Sequence, residues 1–208
     1  MKMDQAAEQL QTIRTLMERS ALYRQALAPI MTFNGIVGIS AGFLGWEFKI
    51  NSDRTFLLFW LGVAAVALTG SFMLARRQAI KDSEPFWSPP TKRIAEALTP
   101  PFSVGAFISV VAFTVFDNPS SSNWVIIIMF WCWLYGCAIH AAGFFMSGRS
   151  KLFGWPFVFA GNILLCYLLK ADGPYQASPH IVMGLIFGGL HLAYGIYLYL
   201  TEKRKNAA

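Results

Sequence analysis

The sequence predicts an all-α polytopic membrane protein: six transmembrane helices, an N-terminal amphipathic cytoplasmic helix, and both termini in the cytoplasm. Three observations carry that prediction. The first is Ile181 to Leu200, IVMGLIFGGLHLAYGIYLYL, twenty residues with no charge and one histidine. At about 1.5 Å per residue, a helix of that length crosses the roughly 30 Å hydrocarbon core of a bilayer. The second is composition. Of 208 residues, 55% are hydrophobic and 13% charged, against roughly 25% charged in an average soluble domain. Eighteen Phe and seven Trp are more apolar surface than a soluble domain of this size can hide, and lipid is the solvent that suits it. The third is where the cations fall. With six spans, fourteen Lys and Arg lie on the side of the termini and only Lys49, Arg54 and Lys170 on the other. The positive-inside rule then puts both termini in the cytoplasm.

Residues 1–24, MKMDQAAEQLQTIRTLMERSALYR, are too polar to be a signal peptide. Ala6, Leu10, Ile13, Met17 and Ala21 recur at three and four, which predicts an amphipathic helix lying on the membrane, on the bundle or on a partner. A transmembrane domain follows over residues 25–202, and a basic cytoplasmic tail closes the chain at 203–208.

The first span is expected at 26–46. Its Gly35, Gly38, Gly42 and Gly45 recur at three, four and three, so one face lacks the side chains that would hold a neighbouring helix away. The second span, 56–75, ends at Arg76 and Arg77. Within the connection that follows, Lys92 to Leu98 are expected to form a short helix that stops before Pro100 and Pro101. The third span, 102–116, is short; the fourth, 124–146, is long enough to tilt; the fifth is 152–169. In the sixth, 181–200, Gly184, Gly188 and Gly195 share a face with His191.

EPFWSPPTKRIAEALTPP at 84–101, IRTLMERSALYR near the N-terminus, AAGFF in span four and GGLHLAYGIY in span six together resemble a group of uncharacterised bacterial integral membrane proteins. The resemblance covers most of the chain and rests on packing and interface residues. It implies six helices in a bacterial inner membrane and a gene neighbour encoding a small winged-helix regulator. It brings no activity, cofactor or site residue.

The residues that could carry chemistry are few. No Asp, Glu, Lys or Arg lies in the middle of a span, although ion-coupled carriers usually keep an ionisable group there. HExxH, GxSxG, the P-loop and paired carboxylates are missing, so no catalytic residues are expected. The three cysteines, Cys132, Cys137 and Cys166, lack CxxC spacing, and neither a disulfide framework nor a metal site is expected. The +6 net charge lies in loops rather than in a nucleic-acid motif.

His140, His191, Asn34 and Asn162 remain. His140 and His191 lie within about 5 Å of one another in depth if both helices are straight. Facing each other, they could ligate haem b; otherwise each locks the bundle by a hydrogen bond. Asn34 and Asn162, with the glycine faces, could line a solute path. The glycine faces are expected chiefly to pack helix on helix, within the bundle or with a second copy.

The function expected is therefore a non-enzymatic membrane module that senses the bilayer or docks a cytoplasmic partner. A b-type haem protein and a small oligomeric permease are its alternatives.

Overall fold

The computed structural model describes residues 27–50, 52–83, 85–115, 123–146, 150–170 and 177–206. Six helices there are long and apolar enough to cross a membrane. They are α1 (Leu27–Glu47), α2 (Asp53–Lys81), α3 (Pro89–Val115), α4 (Trp124–Ala142), α5 (Gly154–Lys170) and α6. A short 3₁₀ turn, Ser150–Phe153, leads into α5. α6 begins as Pro179–Met183, widens into a π turn over Gly184–Gly189, and continues as Leu190–Asn206. The amphipathic helix expected over 1–24 lies outside the described residues.

Successive helices run antiparallel. Ser71 of α2 bonds Asn34 of α1, and Arg54 at the start of α2 bonds the Phe113 carbonyl near the end of α3. Trp131 of α4 meets Ser109 of α3, and Tyr135 stacks on Phe102. Gly154 of α5 faces Gly136 of α4, and Phe157 faces Phe187 of α6. The start of α1, the 82–88 connection, the start of α5 and the end of α6 therefore share one end of the bundle, called here the terminal end. α4 is central: Val125, Ile128, Cys132, Ala138 and Ala142 are fully buried.

The glycine faces of α1 and α6 meet each other. A Cβ on Gly38 would stand 2.7 Å from the Gly188 Cα, and one on Gly42 would stand 2.9 Å from the Gly184 Cα. Gly35 lies against the Leu192 backbone, Gly195 against Thr32, and Gly45 beneath the His180 ring. The packing is backbone on backbone. Lipid offers helices no hydrophobic reason to associate, so contact this close supplies the attraction through dispersion.

α2 behaves differently. Ser52 caps its start, accepting from the Thr55 amide at 3.2 Å, and Asp53 complements the helix dipole there. Its four buried residues, Asp53, Phe56, Leu57 and Trp60, all lie in the first eight of twenty-nine. Beyond them Gly70 sits under the Phe33 ring and Ser71 Oγ donates to Asn34 Oδ1 at 3.1 Å. Lys81 ends a helix about 43 Å long, well beyond the 56–75 expected.

The third span needs a correction. Pro100 and Pro101 do not stop a short helix before a short span; they lie inside one helix, Pro89–Val115. Proline keeps a helical φ and mainly deprives the carbonyls four residues back of their donors. Those carbonyls belong to Glu96 and Ala97, beside the charged turn Lys92–Glu96, where a membrane helix emerges and water can serve them. The fourth span also ends earlier than expected, at Ala142.

Adjacent glycines give a matched test of the α1–α6 contact. Gly188 abuts the Ile39 amide and the Gly38 carbonyl carbon, whereas a Cβ on Gly189 meets nothing within 4 Å. Gly188→Ala should lower stability in detergent by about 1–3 kcal/mol. Gly189→Ala should be neutral or stabilising. Equal midpoints in a thermal-unfolding assay would rule out the close approach.

Candidate functional site

Because α2 is buried only at its first turns, a chamber of about 1210 Å³ lies between it and the rest of the bundle. Ala64, Ala67, Ser71 and Ala75 form the α2 wall; their spacing of three, four and four puts small residues along one face. Leu98, Phe102 and Ala106 of α3 form a second wall, and Met31 and Asn34 of α1 a third. Phe56, Leu57 and Trp60 close the chamber at one end, while Gln78, Asp82, Phe86, Trp87, Ser88 and Thr91 surround it at the terminal end.

The inner wall carries a polar pair. Tyr135 Oη and His191 Nε2 are hydrogen-bonded, and His191 Nδ1 lies 2.6 Å from the Phe187 carbonyl in the π turn. A carbonyl can only accept, so Nδ1 holds the proton and the phenol donates to Nε2. Phe153 and Phe157 close on the imidazole with ring centroids 5.3 and 5.4 Å away. Elsewhere on the walls, Trp131 Nε1 donates to Ser109 Oγ at 3.1 Å, besides the Ser71–Asn34 bond. No buried side-chain nitrogen or oxygen among the described residues lacks a partner. The chamber thus presents a mainly apolar lining with several of its polar atoms paired to one another, which suits a hydrocarbon occupant.

His191 lines this chamber, and both its ring nitrogens are engaged. His140 belongs to another neighbourhood: Nδ1 donates to the Lys151 carbonyl at 2.9 Å, and Phe144 and Trp155 flank the ring. As packed, the two do not offer a haem iron a matched pair of nitrogens. Asn34 lines the chamber, but Asn162 sits on the exposed side of α5, its Oδ1 accepting from Trp133 Nε1 at 3.0 Å. The two asparagines do not line one path through the bundle. Gly35, Gly38, Gly42, Gly45, Gly184, Gly188 and Gly195 are occupied by the α1–α6 contact. Among the described residues, no group of three His, Cys, Asp or Glu could hold a metal ion.

Sequence reasoning passed over His180, the third histidine. Trp60 Nε1 donates to its Nδ1 at 3.2 Å, and its Nε2 donates to the Ile50 carbonyl at 2.8 Å. Phe56 and Phe59 meet the ring at centroid distances of 5.0 and 5.3 Å. One imidazole therefore fastens the end of α1, the start of α2 and the start of α6. The pattern Ser178-Pro179, a helix start with proline at its first position, was the signal that His180 begins α6.

The Tyr135–His191 bond can be measured. Tyr135→Phe leaves a buried acceptor unpaired and should cost about 1–3 kcal/mol. In a double-mutant cycle with His191→Leu, the coupling should be about 0.5–2 kcal/mol. A coupling of zero would remove the pair as a structural unit.

Compared with known proteins, the chain finds no match among protein-family models, curated proteins or solved structures.

Proposed function

We propose that the protein is a non-enzymatic integral inner-membrane module that senses an apolar occupant of the bilayer and reports it at its cytoplasmic face. The observation that supports this reading is the uneven burial of α2, whose buried residues all lie in its first turns and which touches α1 further along at Gly70 and Ser71. Asp53, Phe56, Leu57 and Trp60 in its first turns are buried, the last three beside His180 or at the closed end of the chamber, while the rest of the helix that walls the chamber is not buried. What fills the chamber sets how far the terminal end of α2 stands from the body. That displacement moves Lys81 and the 82–88 connection, with Phe86 and Trp87, whose rings pack on Phe72 and on each other.

With the termini in the cytoplasm, the moving end is also where residues 1–24 enter α1. Their apolar stripe supplies a surface for a cytoplasmic protein, so bilayer content and partner docking are read at one place. The chemistry of the walls supports binding of an apolar molecule, since the lining is mainly hydrocarbon and its Tyr135–His191 and Ser109–Trp131 pairs are engaged with each other.

Spin labels at Ile80 and Tyr199, both exposed at the terminal end, test the sensing. The distance between them should differ between delipidated protein in detergent and protein in lipid nanodiscs. One unchanged distance would overturn it. Docking is tested separately: deletion of residues 1–20 should leave insertion intact and abolish recovery of the cytoplasmic partner. The same partner recovered without that segment would end the docking proposal.

A further inference from the structure

The chamber is open to narrow choices of occupant. Water gains little over most of it, because it needs two to four polar partners and the lining is mainly apolar, with several of its polar atoms already paired: Asn34 Oδ1 with Ser71, Ser109 with Trp131, Tyr135 with His191. An empty space of about 1210 Å³ would forfeit the dispersion contacts of its whole lining. It also exceeds the roughly 300–1,000 Å³ that suits a drug-sized ligand. The molecules at hand in a bilayer are lipids.

Polarity is graded along the chamber. Its closed end is Phe56, Leu57 and Trp60; its terminal end has Gln78, Asp82, Ser88 and Thr91, with Trp87 beside them. Arg76, Arg77 and Lys81 on α2 and Lys92 and Arg93 on α3 flank those residues in the chain, and all five are exposed. In sequence the same stretch holds three acidic residues, Asp82, Glu84 and Glu96, against these five cations, and Asp82 already accepts from Gln78 Nε2 at 2.9 Å. None of the five lines the chamber, and Arg93 lies over the Phe145 ring at 6.0 Å; they sit in the same turns as its polar end, where long cationic side chains can reach an anion. An apolar cleft whose polar end is flanked by cations matches a molecule with hydrocarbon at one end and phosphate at the other.

We infer that the chamber binds an anionic membrane lipid, its hydrocarbon chains between α2 and the bundle and its phosphate among Arg76, Arg77, Lys81, Lys92 and Arg93. The inference rests on the sensing reading above and names its ligand. Two sources share this chemistry, a glycerophospholipid and a polyprenyl phosphate.

The test uses the full-length protein, delipidated in detergent, with phosphatidylglycerol, phosphatidylcholine or polyprenyl phosphate added separately at one concentration and read by native mass spectrometry. At least one anionic lipid should bind about tenfold better than phosphatidylcholine, and the tighter of the two anionic lipids identifies the source. Ala67→Trp, which fills the chamber, should abolish the preference. Val66→Trp, on the exposed side of α2, should retain it and controls for folding. Arg76→Gln with Arg77→Gln and Lys81→Gln should bring the anionic lipids down to the level of phosphatidylcholine. Equal binding of all three lipids, or selective binding that survives Ala67→Trp, overturns the inference. Selective binding with an unmoved spin-label distance upholds the ligand and retires the sensing. A moving distance without selectivity does the opposite.

Discussion

The contact of α1 with α6 is the constraint on which the other packing depends. Over Gly35–Gly45 on one side and Gly184–Gly195 on the other, main chain lies against main chain. Glycine makes that separation feasible, and the separation brings His180 over Gly45, within reach of Trp60 and the Ile50 carbonyl. It also fixes the rotation of α6, which brings His191, beside the glycine face, to Tyr135. The π turn lies within this contact, at Gly184–Gly189. Such a turn widens the helix and is frequent at functional sites; here its Phe187 carbonyl holds the His191 ring.

Against that tight pair, α2 is an outlier. The bundle is knotted by aromatic rings around His180 and again around His191, but α2 shares only the first knot. A helix buried mainly at one end, with light contacts to α1 at Gly70 and Ser71, has a lever arm, and its apolar exposed residues, Val66, Leu68, Phe72 and Met73 among them, suit lipid in any of its positions. Long, well-formed and loosely held is a combination that allows movement as a rigid rod without the cost of unfolding.

Much of the architecture was legible in the chain, because apolar length and the spacing of glycines are local properties. The six spans came from the first, and the seven glycines that α1 and α6 bring together came from the second. Pro100 and Pro101 misled, since a proline pair reads as a helix stop where sequence shows only a lost donor, not the solvent that replaces it. His140 and His191 were placed at similar depth by counting, but depth says nothing of rotation, and rotation puts them among different neighbours. The chamber was the least legible part. A void is defined by where helices fail to touch, a global property, although Ala64, Ala67, Ser71 and Ala75 mark an unusually small-sided face on α2.

Joining the first helix to the last has a consequence for biogenesis. Roughly 140 residues separate the end of α1 from the glycines of α6, which at about 5–20 residues per second is on the order of ten seconds of synthesis. Throughout that interval α1 stands in the bilayer with its glycine face unmatched, open to any small-faced helix nearby. The ring closes only when the last span arrives. Closure of the fold thus waits for α6, and a chain cut short before α6 enters the membrane as spans without a closed bundle.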